Sequence, residues 1–174
     1  MKTIYKKYCN DIQNPALGAY LIYVFSNTFY QERGICSNLL DIFIFIPLIM
    51  VRDVRELIFW FDNANKSHQI KKISKLYEKI EYIGKSKDNF ALGTINGVIL
   101  KFREFVMSSI IFAIEANLIA VNSDGTVQTN DISLQNKGLN EELMALTKAT
   151  NILAKIYAKD NDINNVIKNL EVIL

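Results

Sequence analysis

The sequence predicts a mainly α-helical fold with a small β-hairpin, a winged-helix-like module embedded in a helical domain. Three observations carry that expectation. Apolar residues return at intervals of three and four along most of the chain, the spacing that lines one face of a helix. Only seven Gly and two Pro interrupt 174 residues. One Asp124-Gly125 pair lies between residues of strand character, from Leu118 to Thr129, which is a hairpin signal because both turn positions of a two-residue loop need positive φ. Half of the residues are apolar and 22% are charged, a balance that suits a packed core rather than disorder. The length accommodates one ordinary domain. We therefore read 1–174 as a single domain: an N-terminal helical part (14–63), a lysine-rich amphipathic helix (64–88), a winged-helix-like part (89–130) and C-terminal helices (139–174).

Taken in order, Asn14-Pro15 is a helix start, with a side chain that caps and a proline whose missing N–H is no loss in the first turn. This helix should run to Glu32, with Gly34 ending it. Leu17, Leu21, Val24 and Thr28 form one stripe and Ala16, Tyr20, Tyr23 and Tyr30 another, so the helix is either central or interfacial. The apolar run Leu39 to Val51 is broken by Asp41 and Pro47 and is shorter than the ~20 residues of a membrane span, so it reads as buried core. Val54 to Phe61 should be helical until the polar stretch Asp62 to Ser67. Ile70, Ile73, Tyr77 and Ile80 then mark a helix backed by Lys71, Lys72, Lys75 and Lys79. Phe90 to Phe102 and Phe105 to Asn117 read as a helix pair leading into the hairpin, the order of a winged-helix motif. Leu139 to Ala158 carries Leu143, Leu146, Thr150, Leu153 and Tyr157 at heptad-like intervals, and a short helix from Asp162 to Leu174 closes the chain.

The chemistry that the residues offer is sparse. The lone His68 sits in a polar, lysine-rich stretch with no nameable partner. Glu141 with Glu142, and Asp160 with Asp162, sit at helix ends where acidic side chains serve the dipole or the solvent. Phosphate-binding glycine loops, zinc-protease pairs and nucleophile elbows are missing, and Cys9 and Cys36 lack metal or disulfide spacing. No cofactor, metal or small-molecule ligand is expected, and the chain is not expected to be an enzyme. Free thiols, and the want of an apolar leader, point to the cytoplasm.

A formal charge of +2 gives no strong overall pull toward nucleic acid. The would-be recognition helix offers Val106, Met107, Ile110, Ile111, Phe112 and Ile114 where a groove reader needs Arg, Lys, Asn or Gln. No Arg or Lys occurs between Ile119 and Asn136, so the wing has little for phosphates. That surface belongs in a core or against a protein. A winged-helix DNA-binding regulator is the alternative. The Lys71, Lys72, Lys75 and Lys79 face is either a solvated helix side or a contact for DNA or an acidic protein surface.

The stretch from Asn14 to Ile22 reads NPALGAYLI. It is followed by Phe29-Tyr30-Gln31-Glu32, a proline-containing apolar segment from Leu39 to Met50, and then Arg52 with Val54-Arg55-Glu56-Leu57. This resembles the opening of the middle component of bacterial three-component ABC systems, and the Phe102-Arg103 and Phe105 to Val121 block is similar to that family's helices and wing. The lysine-rich stretch Lys66 to Lys87 and the polar linker after the hairpin depart from the pattern. The resemblance implies a non-catalytic adaptor between an SMC- or Rad50-like ABC ATPase and an effector such as a nuclease, in Lamassu-type defence against phage or plasmids. DNA would be met only through the assembled complex. On this expectation the partner-binding residues are Leu143, Leu146, Leu153 and Tyr157 of the C-terminal helix, with Tyr20 and Tyr23 of the first.

Overall fold

A computed structural model describes residues 13–65, 76, 78–80, 95–132 and 140–159 of the chain. The described elements are α1 (Pro15–Arg33), β1 (Ser37–Asn38), α2 (Leu39–Met50), α3 (Arg52–Asn65), α4 (Ile95–Glu115), β2 (Ile119–Val121), β3 (Thr126–Thr129) and α5 (Glu141–Lys159). The mainly helical class with a small hairpin is what the residues form.

Helix α1 starts where Asn14 accepts the Ala16 N–H at 2.9 Å. It stops at Gly34, whose φ of 76° is open to glycine at little steric cost and whose N–H donates to the Tyr30 carbonyl at 2.8 Å. Most of both apolar stripes is covered, because α4 and α5 pack against it, while Tyr30 near its end stays exposed. It is the central helix. Asn38 caps α2 by accepting the Leu40 N–H at 3.0 Å, while the Asp41 carboxylate accepts the Asn38 N–H at 2.8 Å, a reciprocal capping box. The run from Ile44 to Met50 is wholly buried, Pro47 included, as expected of a core segment.

Phe25, Phe29 and Phe45 meet Tyr157 of α5 at the centre, with the Phe45 and Tyr157 rings 4.4 Å apart. Each such pair adds ~0.5–1.5 kcal/mol beyond its buried area. The Tyr157 hydroxyl donates to Asp41 at 2.6 Å, so the one polar end of the cluster is satisfied where it lies. Burial pushes the Asp41 carboxyl above the usual carboxylate range, against the pull of the Tyr157 and Asn38 hydrogen bonds and the Arg33 charge.

Two expectations are corrected. Phe102 and Phe105 do not belong to separate helices: α4 continues through Arg103 and Glu104 as one 21-residue helix. Nothing in that tetrapeptide breaks a hydrogen-bond ladder, and both Phe side chains are buried on the same face, three residues apart. The helix pair that, with the hairpin, suggested a winged helix is therefore a single helix leading into the hairpin. Nor is the hairpin a two-residue one. Asn122 accepts the Gly125 N–H at 3.0 Å, and of the two turn residues only Gly125 has positive φ, 81°. Asp124 stays at negative φ and accepts from both the N–H and the hydroxyl of Thr126, which lowers its pKa. The geometry is a turn followed by a left-handed glycine, the common three-residue alternative. β3 also pairs on its far edge with β1, giving an antiparallel sheet in the order β1-β3-β2.

Candidate functional site

The heptad-like stripe of α5 faces inward. Leu146, Leu153 and Tyr157 are 2%, 1% and 1% exposed, Leu143 is half-buried, and the expected partner-binding seam is thus closed by α1, α2 and α3 of the same chain. Regular spacing marks which side of a helix is buried without saying what buries it. Tyr23 is buried, its hydroxyl donating to the Ile132 carbonyl at 3.0 Å. Tyr20 is half-buried beside Thr147, the two hydroxyl oxygens 3.5 Å apart. Of the lysine face, Lys79 lies among the described residues, its ammonium 3.6 Å from the centre of the Trp60 ring, a cation–π contact. Lys71, Lys72 and Lys75 lie outside them, as do His68, Asp160 and Asp162.

Two outward surfaces remain. One is on α5, opposite its core stripe, where Asp62 of α3 and Met144, Thr147, Lys148, Asn151 and Lys155 line a groove of about 500 Å³. Its polar groups are partly engaged: Asn151 accepts from the Thr28 hydroxyl at 2.6 Å, and Lys155 pairs with Glu32 at 3.5 Å. Away from the groove lining, Arg55 of α3 ties α2 to α5. This buried guanidinium donates to the Ile49 and Met50 carbonyls at the end of α2 and, at 2.5 Å, to Glu142 in the first turn of α5. Glu142, expected to serve only the dipole or solvent, is instead an ion-pair partner of the buried Arg55.

The other surface is on α4. Its inner face carries Val98, Phe102, Phe105, Val106, Ser109 and Ala113 against α1 and α2. The approach to α1 is close: a Cβ built on Gly18 would lie 1.9 Å from Ser109 Oγ, so only glycine fits there. The outer face is nevertheless apolar as well. Leu100, Met107, Ile111 and Ile114 are 59%, 47%, 52% and 45% exposed, and their spacings of seven, four and three place them within about 60° of arc. Phe112 is also exposed, on another side of the helix. The sequence had flagged this helix as too hydrophobic for a DNA groove, but the division into a core face and a second, outward face needs the fold.

Among the described residues, no helix is long and apolar enough to cross a membrane, and no three His, Cys, Asp or Glu side chains gather as a metal cradle. Residues 4–173 match the model of the family described as ABC-three component (ABC-3C) system Middle Component 3. No curated protein and no solved structure gives a match. The match spans nearly the whole chain, which belongs to this family of middle components, an accessory place in a multi-subunit system.

Proposed function

We propose that this middle component is a non-catalytic adaptor in the cytoplasm. It holds an SMC- or Rad50-like ABC ATPase and an effector, a nuclease by preference, within a Lamassu-type system that defends bacteria against phage or plasmids. Family membership supports an accessory role with protein partners. The observation that carries the reading further is the groove between α3 and α5, where the exposed Met144 lies among Asp62, Lys148 and Lys155. Exposed apolar surface rimmed by charge is what subunits of assemblies present to one another. The groove, with Asp62, Lys148 and Lys155 around Met144, is the docking place we assign to the ATPase or the effector.

The test is co-purification of the tagged chain with the proteins encoded beside it, the retained mass read by light scattering. An ATPase retained by the wild type and lost with Met144→Glu, at unchanged helical content, is the expected result. A chain purified alone that shifts duplex DNA with steep salt dependence overturns the adaptor in favour of a DNA-binding regulator.

A further inference from the structure

We infer that the outer stripe of α4 is the interface between two copies of this chain, paired antiparallel about a two-fold axis that passes beside Ser108. The stripe from Leu100 to Ile114 extends about 21 Å at 1.5 Å per residue, and its apolar side chains are solvent-facing. What selects the occupant is the charge along one edge. Lys101, Ser108 and Glu115 are all exposed and recur every seventh residue, so they form a line beside the stripe. Read along the helix the line is positive, neutral, negative. Reversing it gives its own complement: in an antiparallel pair each Lys101 faces the other copy's Glu115, and the small Ser108 faces its twin.

A parallel pair about a two-fold would put the two lines on opposite edges of the contact, where neither meets its complement. An unrelated strongly acidic or basic helix would meet the wrong sign at one end. Antiparallel pairing also sets opposite helix dipoles side by side, and a two-fold interface uses one patch twice, which this patch permits. Glu104, between Leu100 and Met107, lies three residues from Lys101 on the same helix, within reach of the same ammonium. The contact is small against the ~800 Å² per partner of a standard interface, so the pairing belongs in the micromolar range, on the order of 1–100 μM.

The proposal goes beyond the adaptor role and stands or falls separately from it. Sedimentation of the full chain from about 1 to 100 μM should show a monomer–dimer equilibrium. Lys101→Glu and Glu115→Lys should each weaken it about tenfold, because each reverses both symmetry-related pairs of exposed charges, and the double variant should restore it. In a Cys9→Ser, Cys36→Ser background, Ser108→Cys should give a disulfide-linked dimer under mild oxidation, and Lys101→Cys should not. A chain that stays monomeric across the range, a double variant that fails to recover, or cross-linking at Lys101→Cys rather than at Ser108→Cys overturns the pairing. Retention of the ATPase by such a monomer leaves the adaptor proposal standing; a dimer that retains no partner removes the adaptor and keeps the pairing.

Discussion

Helices α4 and α5 both pack on the central helix α1, are of nearly equal length, and differ in what they leave outside. α5 spends its regular apolar positions on the core, where Leu146, Leu153 and Tyr157 vanish from the surface, and shows solvent a mostly polar side with Met144 at the groove. α4 also fills a core face, and then carries a second row of apolar residues pointing away from it. The lesson is that heptad-like order is a poor guide to an interface. α5 has the better heptad and turns it mostly into the core of its own chain; α4 has more apolar residues than one buried face can use, and that excess is the signal.

The difference is sharpened most by Leu153→Asp on α5. An uncompensated carboxylate placed at a fully buried position costs on the order of 4–5 kcal/mol or more, a large part of the ~5–15 kcal/mol that holds a domain together. Loss of the cooperative thermal transition is expected in calorimetry; a native-like Tm with lost partner binding would return this residue to the surface. Next in size is Gly18→Ala. Alanine favours a helix interior, yet its methyl would meet Ser109 Oγ at 1.9 Å and Phe105 at 2.8 Å, so α4 must be pushed off α1 at a cost of about 1–3 kcal/mol. Ser109→Ala in the same chain should recover only part of it, because the Ser109 Cβ itself lies 2.6 Å away.

Asp41 tests the α5 side more gently. Its folded-state pKa lies above the unfolded value of 3.8, so the native state holds the proton longer than the unfolded chain. Stability should then decline as pH rises from 3.8 toward the raised value, and flatten above it. Denaturant titrations of the wild type and Asp41→Asn across that window should diverge, with the wild type losing ground as pH increases; parallel curves would mean that the carboxyl is solvated. The smallest effect on folding is expected at Met107→Glu on the outer row of α4. Its stability should stay within about 0.5 kcal/mol of wild type, while self-association in sedimentation disappears. Unfolding by this change would show that the row is core after all.

The ends of α1 were legible because capping is local: Asn14-Pro15 and Gly34 act over a single turn. The burial of Leu39 to Met50 was legible from its length and its proline. A capping box at Asn38 and Asp41 is equally local, an Asn followed three residues later by Asp at the head of the apolar run. Other features depend on contacts that spacing does not encode. β1 exists because Ser37 and Asn38 find β3 nearly ninety positions on, opposite Val127 and Thr126. The inward turn of Tyr157 depends on an acceptor, Asp41, waiting on α2. The continuity of α4 was lost by giving Phe102 and Phe105 to different helices, although two aromatic residues three apart already share a face. The groove could not be seen at all, since its walls come from α3 and α5.

The hydrogen bond between Tyr157 and Asp41 joins residues 116 positions apart. Ribosomes deliver ~5–20 residues per second, so roughly 6–23 s separate the emergence of the two partners. For that interval the Phe25, Phe29 and Phe45 rings stand without the tyrosine that closes over them, and for most of it Arg55 also waits for Glu142, 87 positions beyond it. The ring cluster can therefore be completed only once α5 has been made, and the last described helix serves as the closing stitch of the chain's synthesis as well as a wall of the finished molecule.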